Sequence, residues 1–263
     1  MPDISQPWYT VQLDIAGCAY DVRVNGGPLY ENAQGYPVTV ELETNRWLRN
    51  GANELEFYLR PLQGQRNIDR DCRCKGVVYL REKSADRDAR TEVARLEYPG
   101  NSPQRREGPD TIIGARFSAQ VPFGLFRWFT STEIVDSDST RAELVAELER
   151  FHALLASRDI DTALRRLAER DSEEAAAQYR TVAERTSDSR RVLTQLLDET
   201  EFMLQPTRTR NVRLRIFGSG HLARLDMPNG QSPLYFLSAD RQRAGYVELV
   251  FRRDSAGGWV VAR

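Results

Sequence analysis

DSDSTRAELVAELERFHALLASRDIDTALRRL, Asp136 to Leu167, is where the chain changes its grammar. Upstream, apolar residues recur at every second position. Within this stretch Leu144, Val145, Leu148, Phe151, Leu154 and Leu155 recur three and four apart, which is one face of a helix. Thr140 and Glu143 stand at the T-x-x-E spacing of a capping box, so the helix is expected to open there. Arg158-Asp159 predicts a tight break, and Ile160, Ala163, Leu164 and Leu167 make a second, short apolar face. A third helical region is expected from about Ser172, with Ala176, Tyr179, Val192, Leu193, Leu196 and Leu197 inward. The polar run from Arg185 to Arg190 leaves open whether it is one helix or two.

Working outward toward the N-terminus, the period is two. Val11, Leu13 and Ile15 alternate with polar residues, as do Tyr20, Val22 and Val24. After a turn at Asn25-Gly26-Gly27-Pro28 come Tyr36, Val38, Val40 and Leu42, then Leu55, Phe57 and Leu59. Val77–Arg81, Thr91–Tyr98 and Ile113–Val121 are further strands by the same criterion. Alternation means one buried and one wet face, and many short strands with Gly, Pro and Asn turns predict an antiparallel sandwich. Two long polar loops rich in arginine are expected, from Pro61 to Lys75 and from Tyr98 to Thr111. Beyond Pro206 the period returns to two. Val212–Ile216, His221–Met227, Leu234–Ser238, Tyr246–Arg253 and Trp259–Arg263 are the strand candidates, and Asp254–Gly258 is a hairpin loop. The expected fold is therefore α+β: an N-terminal antiparallel β-sandwich over 1–135, then helices followed by antiparallel sheet over 136–263.

The bulk numbers exclude several classes. The 263 residues are 40% hydrophobic and 29% charged, enough for two packed cores. A net charge of −1 offers no global basic field to hold nucleic acid. Nothing approaches the roughly 18 apolar residues of a membrane span. The opening MPDISQPWYT carries no signal-peptide pattern, and three cysteines do not fit a paired disulfide framework. The expectation is a cytoplasmic protein that engages neither nucleic acid nor membrane directly. Its oligomeric state, including a homo-oligomer, is left open.

Few residues advertise chemistry. Cys72 and Cys74 form a C-x-C in RDCRCKG, but zinc needs about four ligands, and Cys18, His152 and His221 stand at no recognisable spacing from them. His152 in the first helix, with His221, Asp226 and Tyr235, offers a possible acid–base set. His221 and Asp226 lie five apart on one expected strand, hence on opposite faces. No phosphate loop, nucleophile elbow or dinucleotide fingerprint occurs. No catalytic residue, metal or cofactor is assigned. From Asp136 to Asp161 seven acids face three arginines, about −4 in a nearly neutral chain. A second small acidic group is Asp198, Glu199 and Glu201. FGLFRWF, Phe123 to Phe129, reads as a strand with Phe126 and Trp128 on one face; an exposed part of it is a candidate binding anchor.

Three resemblances add to this reading. RWLRNGANELEFYL, Arg46 to Leu59, resembles a turn-and-strand of jelly-roll accessory modules in carbohydrate enzymes, which supports the sandwich. LVAELERFHALLASRDID, Leu144 to Asp161, and YVELVFRRDSAGGWVVAR, Tyr246 to Arg263, resemble the NTF2-like (SnoaL-like) fold, and imply a cone of helices on a curved sheet. In size, composition and two-part layout the chain is similar to the cytosolic immunity proteins that bacteria hold against nuclease effectors of type VI secretion. That likeness implies a stoichiometric antitoxin whose partner is a cognate toxin, with no catalysis of its own. A nuclease face is basic, so the partner-binding residues would be Asp136, Asp138, Glu143, Glu147, Asp159 and Asp161, with Trp128 as an anchor. The rival expectation is a small-molecule enzyme or binding protein that uses the cone cavity near His152; a third is a scaffold docked through the sandwich.

Overall fold

The computed structural model describes residues 4–99, 110–198 and 202–263. Most of the expected Tyr98–Thr111 loop, and the acids Glu199 and Glu201, lie outside the described residues. Among those described are fifteen strands in antiparallel sheets and three α-helices, a mixed α+β chain. It forms two compact units divided between Leu125 and Phe126, upstream of the change of period at Asp136.

The first unit holds β1 (Pro7–Ala16), β2 (Ala19–Val24), β3 (Gly27–Asn32), β4 (Val38–Glu43), β5 (Gly51–Arg60), β6 (Arg73–Glu82), β7 (Thr91–Tyr98) and β8 (Thr111–Ala119). They make two four-stranded sheets, ordered β4-β1-β6-β7 and β3-β2-β5-β8. Val11, Leu13 and Ile15 of the first sheet and Leu55, Phe57 and Leu59 of the second are fully buried, as their alternation predicts. A Cβ on Gly76 of β6 would lie 2.6 Å from Cζ of Phe57 in β5. The absence of a side chain at Gly76 leaves room for the Phe57 ring of the other sheet to pack on the strand. Strand β3 is absent from the sequence reading, because Gly27-Pro28 reads as a turn. Proline is tolerated there because β3 is an edge strand. Gly27 itself is needed because Trp47 lies against it: a Cβ would sit 2.3 Å from Cε3 of the indole. Asn45 pins the segment before β5, accepting from Tyr9 N at 2.8 Å and donating to Pro7 O at 2.9 Å.

The second unit begins with a single 3₁₀ turn, Arg127–Thr130, where a strand was expected. Its residues pack into this unit: Trp128 lies against Gly218, where a Cβ would be 2.8 Å from the indole, and Ile134 N donates to Gly220 O at 2.7 Å. These contacts draw the unit boundary ahead of the first helix. Three helices follow: α1 (Asp138–Ala156), α2 (Ile160–Ala177) and α3 (Val182–Asp198). The cap of α1 is Ser137, whose hydroxyl accepts from Thr140 N at 3.1 Å, rather than Thr140. Arg158, with φ at +59°, makes the expected break. The next break falls at Tyr179, φ +53°, so α2 continues well past Ser172 and α3 is one unbroken helix.

The remaining strands are β9 (Phe202–Leu204), β10 (Arg213–Phe217), β11 (Leu222–Asp226), β12 (Tyr235–Ser238), β13 (Ala244–Tyr246), β14 (Phe251–Arg253) and β15 (Trp259–Val261). They form two sheets, β10-β11-β14-β15 and β13-β12-β9, instead of one. The expected strand Tyr246–Arg253 is cut in two, β13 ending and β14 beginning within it. Leu144, Leu148, Phe151 and Leu155 of α1, Ala163, Leu164 and Leu167 of α2, and Leu193 of α3 share one core with Ala223, Leu225, Phe236, Phe251 and Val261. α2 and α3 also meet through buried polar groups: fully buried Asp171 accepts from Ser189 Oγ at 3.0 Å, and Arg185 Nε donates to Glu174 at 2.8 Å. No helix is long and apolar enough to cross a membrane among the described residues.

Candidate functional site

The six acids singled out by the sequence fall into three separate places. Asp136 and Asp138 stand at the N-terminus of α1, where the macrodipole favours them. Arg141 reaches Asp138 at 3.0 Å and Asp136 at 3.9 Å. Asp159 caps α2, accepting from Thr162 N at 3.1 Å; Thr162 side-chain and backbone hydrogen bonds lower its pKa. Asp161 pairs with Arg190 of α3. Since α1 has 19 residues, these two acidic ends lie about 27 Å apart along its axis. The carboxylates stay largely in water: the Asp138 side chain is 98% exposed and that of Asp161 69%. Exposed ion pairs of this kind are worth little and exchange partners readily.

Glu143 and Glu147 are committed internally. Trp259 Nε1 donates to Glu143 at 3.0 Å and Arg253 also binds it; these contacts hold its carboxyl below the usual range. Glu147 binds Arg150 and, at 3.1 Å, Arg166 of α2, and its side chain is only 13% exposed. Trp128 is 1% exposed, so it fills the core of its unit and presents no ring to a partner. The expected Phe123–Phe129 strand is replaced at its end by the 3₁₀ turn: Phe126 and Trp128 are buried, Phe123 and Phe129 are half-buried, and Leu125 is left as an exposed apolar side chain.

The acid–base set does not assemble around a proton-transfer pair. His152 is half-buried on α1 with Nε2 3.0 Å from the Gln205 carbonyl oxygen. His221 follows a 3₁₀ turn and precedes β11, so it is not on the strand that carries Asp226. Asp226 is buried and bound by Arg224 (2.6 and 2.8 Å) and Arg215 (3.1 Å). Tyr235 stacks on Tyr246. A cavity of about 200 Å³ in this unit is lined by Glu147, Phe151, Arg165, Arg166, Phe251 and Trp259, and not by His152. A second depression, on the sheet of β1 and β4, includes Trp8, Thr10, Gln12, Glu41 and Arg81.

The first unit holds a grouping that sequence spacing did not reveal. Cys18, Cys72 and Cys74 are all buried and free, and their sulfurs lie within 4.8 Å of one another. Cys18 Sγ is 3.5 Å from Cys74 Sγ, which is 3.8 Å from Cys72 Sγ. Hydrogen bonds from Cys72 and Cys74 lower the Cys18 thiol, against burial. Hydrogen bonding to Cys18 raises Cys72, and Cys74 is raised by Cys18, Cys72 and burial. Cys18 is far from the C-x-C in sequence; the β1–β6 pairing, with Ile15 opposite Cys74, brings it alongside.

Compared with family models, curated proteins and solved structures, the chain matches none of them.

Proposed function

We propose that this chain is an immunity protein that binds and neutralises a cognate antibacterial toxin, a nuclease effector of type VI secretion, by stoichiometric occlusion. The observation that carries the reading is the pair of solvent-facing acidic helix N-termini, Asp136 and Asp138 on α1 and Asp159 and Asp161 on α2. Each carboxylate is held in place by a helix end or an exchangeable arginine, and is available to the arginines and lysines with which a nuclease grips phosphates. A standard interface covers roughly 800 Å² per partner, a patch roughly 30 Å across, so one partner spans both ends of α1. Glu143, Glu147 and Trp128 serve the fold in this reading. The N-terminal unit is read as a β-sandwich, supported by the close approach of its sheets at Gly76 and Phe57. The C-terminal unit is read as NTF2-like, supported by three helices that precede and pack with antiparallel strands. A cytoplasmic location fits three unpaired, buried thiols.

The test is a pull-down of the tagged chain from lysate of its own species, including catalytically disabled products of neighbouring genes. One stoichiometric partner is expected, with association slowed at least tenfold by the double reversal Asp138→Lys and Asp161→Lys and by raised salt. A partner bound equally well by the reversed chain would remove the acidic ends from the interface, and no partner would overturn the reading.

A second reading is favoured by the cavity beside Glu147. Arg165 and Arg166, the latter paired with Glu147 at 3.1 Å, line it together with the apolar Phe151, Phe251 and Trp259, a mixed lining that suits a small ligand with an acidic group. A small acid that co-purifies and is lost in Arg166→Ala would favour it.

A further inference from the structure

We propose that Cys18, Cys72 and Cys74 form a three-thiolate binding site for monovalent copper, a feature of the first unit that stands independently of toxin binding. Three sulfurs converge from three points of the chain: Cys18 just after β1, Cys72 at the end of the loop 61–72, and Cys74 at the start of β6. Their separations are those of ligands around one ion. A metal–sulfur bond of about 2.3 Å places neighbouring thiolates about 3.8 Å apart in a tetrahedral arrangement and about 4.0 Å apart in a planar one. The observed 3.5 and 3.8 Å, with the third separation within 4.8 Å, need adjustments of only tenths of an ångström for the first two.

The backbone is shaped to bring the sulfurs together. Gly17 holds φ at +83°, and a Cβ there would lie 2.9 Å from Cα of Cys72. Only glycine meets both conditions, and the consequence is that Cys18 lies beside Cys72. A disulfide needs two sulfurs, and this arrangement gathers three.

The donor set selects the ion. Thiolates favour soft metals such as Cu(I) and Zn(II). Structural zinc takes four ligands, whereas among the described residues this group supplies three. The site is sealed, with all three cysteines at most 2% exposed, so water is a poor fourth ligand. Three soft donors in a dry pocket fit a low-coordinate d¹⁰ ion. Gly35 lies close to both Leu62 of the loop 61–72 and the Cys18 carbonyl: a Cβ there would be 2.2 Å from Leu62 Cδ2 and 2.7 Å from Cys18 O. Binding exchanges thiol protons for the cation with no change of oxidation state.

The experiment uses the full chain, reduced and held under nitrogen, titrated with Cu(I) supplied as its acetonitrile complex. One equivalent is expected to saturate an ultraviolet thiolate-to-copper charge-transfer band and to protect all three cysteines from alkylation. Cys18→Ser and Cys74→Ser, checked for native circular dichroism, are each expected to weaken binding by roughly 100-fold or more. The proposal is overturned by absence of the band and of protection in the wild-type chain, which needs no variant to fold. It is also overturned by undiminished binding in a folded Cys18→Ser chain, by X-ray absorption showing bound zinc with four ligands in the purified protein, or by a native disulfide that leaves a single thiol to titrate after unfolding.

Discussion

At the scale of single residues, the chain depends on positions where no other side chain fits. Gly17 combines a left-handed φ with a close approach to Cys72, so Gly17→Ala is expected to destabilise the first unit by about 1–2 kcal/mol. Urea denaturation checks this, and an unchanged midpoint would show that the turn is not fixed. Glu169 gives a pH-dependent counterpart in the second unit. Burial raises its carboxyl, but the guanidinium groups of Arg252 and Arg127 outweigh that and hold it below the usual range. A lowered folded pKa contributes stability above the unfolded carboxylate range, and the contribution is lost as pH falls through the folded value. Glu169→Gln is expected to cost about 3 kcal/mol at neutral pH, with the difference from wild type shrinking in acid. Melting both proteins across pH 3 to 7 reads this directly; a gap that stays constant would refute it. Neither residue is legible in the sequence. Glycines and glutamates are common, and their roles appear only when distant segments meet.

At the scale of elements, the sequence was most legible where burial is apolar. The alternation of Val11, Leu13 and Ile15, and of Leu55, Phe57 and Leu59, marks strands because each inward residue is aliphatic or aromatic. The face of α1 is legible for the same reason. Legibility fails where polar residues are buried. Asp171, Glu174 and Ser189 are interior, yet polar residues give no inward face to read, so the third helical region was expected to open near Ser172 rather than beyond Tyr179. Their network predicts that Asp171→Ala, which strands Arg170 and Ser189, destabilises by about 3 kcal/mol by chemical denaturation, whereas a cost under 1 kcal/mol would mean the pair is dispensable. The cap of α1 is a finer case. Both Ser137 and Thr140 have capping hydroxyls, and the T-x-x-E spacing favoured the wrong one. Ser137→Ala is expected to cost about 1 kcal/mol through loss of the bond to Thr140 N. A larger loss on removing the Thr140 hydroxyl than on removing that of Ser137 would reverse the assignment.

At the scale of the whole molecule, the acidic helix ends and the thiols belong to different units, and each is tested by its own experiment on the full chain. The acidic stretch was plain in the sequence as a count, but a count has no geometry. Folding splits it: Glu143 is engaged by Trp259 and Arg253, Glu147 is largely covered beside Arg166, and Asp136, Asp138, Asp159 and Asp161 stay at two helix ends. Trp128, read as an exposed anchor, is enclosed by the unit that it opens. The three cysteines were visible singly, and their convergence follows from strand pairing over more than fifty positions, which no local pattern announces. The central claim, stoichiometric neutralisation through the acidic helix ends, is tested most directly by light scattering of the chain mixed with the disabled toxin. The account predicts a stable complex of defined stoichiometry that dissociates faster and assembles more slowly with Asp138→Lys and Asp161→Lys. Separate elution of the two proteins at micromolar concentration would contradict it.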